Sequence, residues 1–277
     1  MIATLDHVGY SGGDVDGLRA AFTRLGFTTT EPHELMTQDS PSGELRPLGQ
    51  RSSLAVLKAG YIEVTASQRP PQPSAPGCGL LCLGVDDLEA AHARCLGTGL
   101  RVTAPAWTVR HMKHGKRHGE ARLHWFMLEA EESPEGRVCF VHNQASELVY
   151  PDEVTQHANG ALGLDEVCIV ASDLQAAAAR YARILGIEPD RSPGEALFRL
   201  LRGALRLCER APFEQIYGAA LAVPADRFGL VALRVRDLAV AGRALQANRV
   251  PYRAAEGAAY VPAVSAAGAA LALRRGR

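Results

Sequence analysis

Four stretches of the chain repeat one pattern of apolar and polar positions. Each opens with an apolar run, meets an Asp, continues with apolar side chains at helical spacing, and stops at Gly or Asn. They are LDHVGYSGGDVDGLRAAFTRLGF (5–27), GLLCLGVDDLEAAHARCLGTGL (79–100), LDEVCIVASDLQAAAARYARILGI (164–187) and FGLVALRVRDLAVAGRALQANRV (228–250). The run before each Asp reads as a strand. The segment after it reads as an amphipathic helix, with Leu174, Ala177, Ala178 and Tyr181 marking one such face.

Asp14, Asp87, Asp173 and Asp237 stand where the strand ends and the helix begins. A short carboxylate there accepts from the unpaired amides of the first turn and complements the helix dipole. Gly26, Gly97 or Gly99, Gly186 and Asn248 then stop the helices, as residues that tolerate a left-handed cap. Three short strands are predicted after each helix. They span 26–30, 53–58 and 61–66 in the first unit, and 100–104, 121–129 and 137–143 in the second. In the third they span 188–190, 196–201 and 204–209; in the fourth, 250–253, 258–262 and 269–274.

A strand-helix-strand-strand-strand unit cannot bury its sheet face alone, so the units must pair. The expectation is an α+β protein of four βαβββ modules forming two open barrels. Modules 1–70 and 78–145 make a domain over 1–150; modules 163–210 and 227–277 make a second over 151–277. The connector between Asn143 and Gly163 carries Pro151, Asn159 and Gly160, and Pro70 to Gly77 stiffens the join between the first two modules.

Composition narrows the function classes. Thirty Lys and Arg balance thirty Asp and Glu among 277 residues, which argues against a globally basic nucleic-acid binder. The N-terminus lacks a basic region followed by an apolar run, and no apolar stretch approaches the roughly 18 residues of a membrane helix. Cys82, Cys139, Cys168 and Cys208 lie inside apolar runs and read as reduced core residues. A cytoplasmic protein with a small-molecule partner, and with neither nucleic acid nor membrane, is expected.

The four units, with LDHV opening the first strand and YIEV closing the first module, resemble the vicinal oxygen chelate superfamily. Phe140-Val141-His142 through Glu147-Leu148-Val149-Tyr150 to Asn159-Gly160-Ala161-Leu162-Gly163-Leu164 is similar to its glyoxalase-like domain proteins. The resemblance implies metal ligands on the first and last strands of paired modules. Carried over, it points to His7, Glu63 and His142, with Leu80 where a further ligand would stand and His142 two residues from the usual acidic position near Phe140. Two imidazoles and a carboxylate suit a divalent metal (Fe, Mn, Zn or Ni) with open coordination positions. The alternative is that the histidines line a dry pocket and Glu63 pairs with an arginine.

The implied activity is a lyase or isomerase using the metal to chelate vicinal oxygens, with Glu63 as ligand or detachable base. A ring-cleaving Fe or Mn dioxygenase is one alternative; a non-catalytic protein that binds a drug or aromatic compound is another. Arg51 is a candidate clamp for a substrate carboxylate and Trp125 a candidate pocket wall. The basic stretch 110–118 reads as a solvated loop, with a lid for anionic substrates as the alternative. In the second half Glu166 replaces His7 and Arg206 replaces Glu63, which predicts a salt bridge in a degenerate, structural barrel. Some relatives build each barrel from two subunits, which leaves room for a homodimer.

Overall fold

In the computed structural model, residues 3–67, 76–114, 117–144 and 149–276 are described. The first module comprises β1 (Thr4–Ser11), α1 (Val15–Arg24), β2 (His33–Gln38), β3 (Arg46–Val56) and β4 (Tyr61–Ser67). The second comprises β5 (Gly77–Gly84), α2 (Leu88–Gly97), β6 (Ala106–His114), β7 (Arg117–Met127) and β8 (Arg137–Gln144). The third has β9 (Ala161–Val170), α3 (Leu174–Leu185), β10 (Asp190–Ser192), β11 (Glu195–Arg199) and β12 (Ala204–Cys208). An extra helix, α4 (Arg210–Tyr217), leads to the fourth: β13 (Phe228–Val235), α5 (Leu238–Ala247), β14 (Arg253–Ala255), β15 (Ala258–Val261) and β16 (Ala270–Arg275).

The repeat forms as its spacing demands. Asp14 accepts from the Gly17 amide, Asp87 and Asp173 accept from Ala90 and Ala176 at 2.9 Å, and Asp237 accepts from Ala239 at 2.7 Å. Each carboxylate thereby satisfies a first-turn N–H that no helical carbonyl can reach. At the C-termini Gly26, Gly99 and Gly186 take positive φ, but in the fourth helix Arg249 does so (φ 53°) and Asn248 does not.

The two pairs of modules close differently. In the first, the order β1-β4-β3-β2-β6-β7-β8-β5 returns on itself as a closed barrel, because β2 pairs with β6 through Met36, Thr37 and Gln38. In the second, β10-β11-β12-β9-β13-β16-β15-β14 stays an open eight-stranded sheet. The expected pair of open barrels is thus one closed barrel and one open sheet. Strand length explains the difference: β2 and β3 reach 6 and 11 residues, whereas β10 and β14 have 3 each.

Outer faces of both sheets and all four module helices share one apolar cluster, including Phe22, Leu88, Phe140, Val167, Tyr181, Val231 and Leu245. The halves are therefore joined by a common core. Leu5 N–H donates to Arg202 O (2.7 Å), Arg94 donates to Ile184 O (2.8 Å), and buried Asn159 ties the connector to Leu25 O (2.9 Å). Gly60, at φ 82°, sits where a Cβ would lie 2.4 Å from Asp6 O, so this turn before β4 tolerates no side chain.

Candidate ligand-binding site

Strand alternation sorts the barrel residues into two faces. His7, Gly9 and Ser11 on β1, Glu63 and Thr65 on β4, and Thr108 and Arg110 on β6 point into a cavity of about 140 Å³. Below it Leu54, Val56, Tyr61, Met112, Ala121 and Val149 seal the barrel. One wall is polar. The other is an apolar patch of Leu80, Cys82, Leu123, Trp125, Met127, Cys139 and Val141.

A chain of contacts runs through the polar wall. A register shift in β1 between Leu5 and His7 sets Asp6 beside the His7 ring, and Asp6 Oδ1 lies 2.6 Å from His7 Nδ1. On the other side of the ring, His7 Nε2 lies 3.4 Å from the Tyr61 hydroxyl. The imidazole also stacks on the Tyr61 ring, with centroids 4.1 Å apart. Glu63 Oε2 is 3.9 Å from His7 Nε2, while Oε1 accepts from Ser52 Oγ at 2.6 Å and from Arg110 Nη2 at 2.8 Å.

Arg110 is the cation of this site. Its side chain is 3% exposed, and its guanidinium lies 5.4 Å from the centre of the Tyr61 ring. Only Nη2 has a partner; Nε and Nη1 are buried and unpaired. Burial raises the Glu63 carboxyl, but Arg110, then His7 and the Ser52 hydrogen bond, bring it below its usual value. His33, close to Arg110, has its imidazole pushed down to about 4, chiefly by burial and then by that guanidinium.

The structure brings His7 and Glu63 together but leaves His142 elsewhere. His142 Nδ1 is 3.0 Å from Val85 O, and the side chain lines a separate polar cavity with Asp6, Asn143 and Tyr150. The reason is register. Parallel pairing sets Gly9 beside Glu63 in one module and Cys82 beside Cys139 in the other. The counterpart of Glu63 is therefore Cys139, three residues after Gly136 as Glu63 is three after Gly60. Phe140 and His142 belong to the opposite parity, since one residue along a strand reverses the face.

Arg51 also points away: it is exposed on β3 and contributes nothing to the cavity, whereas Leu48 and Gln50 do. Trp125 does form its wall, anchored by Nε1–H to Thr108 Oγ1 at 2.8 Å. The stretch read as a solvated loop is largely the hairpin of β6 and β7, with Gly115 and Lys116 outside the described residues. The alternation of Thr108, Arg110 and Met112 against Trp107, Val109 and His111 was the signal that Arg110 faces inward.

A divalent metal does not fit this donor set. His7 and Glu63 supply two donors, Leu80 offers none at its matching position, the Cys139 thiol opposite does not close a group of three with them, and a buried guanidinium already neutralises the carboxylate. Among the described residues no group of three or more His, Cys, Asp and Glu has metal-binding geometry.

Residues 5–185 match the profile of the glyoxalase-like domain. The chain belongs to this glyoxalase-like family. No curated protein matches it by sequence. Solved structures confirm the family's vicinal oxygen chelate fold in this member. A hypothetical protein from Staphylococcus aureus superposes with a TM-score of 0.68 at 10% identity, over 99% of this chain and 100% of that one. A mutant of 4-hydroxymandelate synthase from Streptomyces coelicolor gives 0.55 at 13% identity, over 99% and 93%. A variant of homoprotocatechuate 2,3-dioxygenase from B. fuscum gives 0.59 at 13%, over 99% and 71%. At such identities the glyoxalase-like chain shares their fold, and its chemistry must be argued from its own residues.

In the second sheet of this glyoxalase-like protein, Glu166 and Arg206 take the places of His7 and Glu63 and form the expected salt bridge at 3.0 Å. Arg274 Nη2 adds a contact at 3.3 Å, and the Tyr217 hydroxyl donates to the same carboxylate. Phe213 and Tyr217 of α4, with Leu221 and Val223 after it, cover Cys168, Cys208, Leu230, Ala232, Ala270 and Ala272. The concave face that is open in the barrel is here partly filled by the chain itself, while Glu166, Arg206 and Arg274 also line a polar cavity.

Proposed function

We propose that the first barrel is a small-molecule binding cup that works without a metal. One observation carries this reading: the buried Arg110 guanidinium pairs with Glu63 and supplies the positive charge that a divalent ion would otherwise bring. Lyase, isomerase and ring-cleaving dioxygenase chemistry in the expected form needs at least three protein donors around one ion. Here two are present and the arginine competes for one of them. The apolar wall of Leu80, Leu123, Trp125 and Met127 opposite a polar wall suits a compact, amphipathic ligand.

Elemental analysis of protein purified without chelators tests the reading. No stoichiometric transition metal is expected, and added Fe(II), Mn(II), Zn(II) or Ni(II) should shift Tm no more in the wild type than in His7→Ala. Stoichiometric metal that disappears in His7→Ala and in Glu63→Ala would overturn it and restore the metalloenzyme reading.

A further inference from the structure

We infer that the cup selects a carboxylate-bearing ligand with a ring-sized apolar body, the carboxylate accepting from Arg110. The inference rests on the cup reading above and adds the class of ligand.

Three observations converge on it. Arg110 is almost wholly buried, yet its Nε and Nη1 donors have no partner, and it lines the cavity. Leaving buried donors unpaired is costly, and those on a charged group cost most. An oxyanion accepting from one of these donors, while Glu63 holds Nη2, offsets that cost with a charge-assisted hydrogen bond.

Charge is the second observation. Among Asp, Glu, Lys and Arg, the cavity lining contains only Glu63, Arg110 and Arg137. Arg110 and Glu63 offset one another, and Arg137 stands exposed at the end of the lining with no acidic partner among the described residues. Arg137 therefore favours the approach of an anion to the guanidinium.

Size is the third. About 140 Å³ is close to the volume of roughly 150 Å³ known to take a benzene ring. The wall available to that body is Leu80, Leu123, Trp125 and Met127. Arg51, the candidate clamp in the sequence, is exposed and outside the cavity lining; the inward strand position gives that role to Arg110.

The probe pair is benzoate and its neutral analogue benzamide, titrated into the full chain at pH 7. Trp125 fluorescence is the readout in a Trp107→Phe background, since Trp107 stacks on His124 away from the cavity. Benzoate is expected to bind at least about tenfold more tightly than benzamide. That preference should vanish in Glu63→Gln/Arg110→Gln, a pair of changes that leaves no buried charge unmatched. It should fall to an intermediate value in Arg110→Lys, which keeps a cation opposite Glu63.

Equal affinities in the wild type would overturn the carboxylate inference and leave the metal-free cup standing. Failure of both probes to bind would overturn it too, as would a benzoate preference that survives in the double variant. Stoichiometric metal lost in His7→Ala would instead bring down the cup reading itself.

Discussion

The barrel and the open sheet start from the same module and differ in what fills the concave face. In the barrel, His7, Glu63 with its Ser52 partner, and Arg110 lie beneath a cavity. In the sheet the corresponding β9 and β12 positions hold Glu166 and Arg206, and α4 lies on top. Each site thus centres on a carboxylate paired with an arginine. The difference lies in completion: Glu166 receives two guanidiniums and a tyrosine hydroxyl, whereas Arg110 keeps two unpaired donors. The Glu166 cluster has its hydrogen bonds within the chain, whereas the Arg110 cluster has donors left over that the proposed ligand would engage.

That contrast is broken most forcefully at the carboxylates. Glu63→Leu strands the buried guanidinium of Arg110, which has no other acidic partner among the described residues, and the expected loss is about 5 kcal/mol, at the top of the range for breaking a buried pair. Glu166→Leu leaves Arg206 with Glu195 and Arg274 with Asp165, both partly exposed, and about 3 kcal/mol is expected. Adding Arg110→Leu to Glu63→Leu should recover most of its loss, because no uncompensated charge then stays buried. Urea denaturation of the variants at pH 7 measures all three. An equal loss at both sites would erase the distinction between a completed and an uncompleted cluster.

The plug gives the next contrast. Phe213→Ala in α4 removes a side chain 1% exposed and should cost about 3–4 kcal/mol. Trp125→Ala, at a partly open wall, should cost about 1–2 kcal/mol and abolish ligand binding. Thermal unfolding followed by circular dichroism separates the two, and one shared transition is expected because the halves are built on a common core.

Acid separates the halves as well. All nine histidines lie at or before His157, so the second sheet contains none. His33 is lowered to about 4, first by burial and then by Arg110. As pH falls through 6.5 the unfolded chain takes up a proton that folded His33 refuses until about 4, so stability declines across that window. The sign is a loss on acidification, up to about 3 kcal/mol for this group. Glu63 and Glu166 are both held below the usual carboxylate range: burial raises each, but Arg110 prevails at Glu63 and Arg274 and Arg206 at Glu166. Their stabilisation is present above about 4.3 and is lost as pH falls through the lowered values. His33→Gln should therefore flatten part of the slope between pH 6.5 and 4 in urea titrations and leave the acid limb below it unchanged. The remainder belongs to His124 and His157, which burial also lowers.

The sequence made the second half more legible than the first. There the expected strands 204–209, 258–262 and 269–274 lie within a residue of β12, β15 and β16, because short apolar runs bounded by Gly and Pro leave little ambiguity. In the first half β2, β3, β6 and β7 begin or extend beyond the apolar runs, through Glu34, Arg46, Gln50, His111 and Glu120. These polar stretches read as loops, but pairing between β2 and β6 needs their length to close the barrel. The cavity suffered the same way. His7 and Glu63 were visible from their modules, whereas Arg110 lay in a stretch whose charge density masked its alternation. His142 was misplaced by a one-residue count, which strand geometry turns into the wrong face. The extra helix α4 had no counterpart in the repeat and so gave no signal to a search for repeats.

The smallest effect asks whether the modules are still equivalent where their surroundings do not differ. Asp14 and Asp173 cap α1 and α3 by the same contact, a side-chain oxygen accepting from the amide three residues on. Neither touches the cavity or the plug. Asp14→Ala and Asp173→Ala should each cost about 1 kcal/mol, within a few tenths of one another, and benzoate affinity should be unchanged in both. Matched losses in urea would mean that the two halves diverged on their concave faces while keeping one local rule for starting a helix. A markedly larger loss at Asp173 would mean that the helices, too, have become unequal, and that the second half relies on its caps because its sheet is open at both edges.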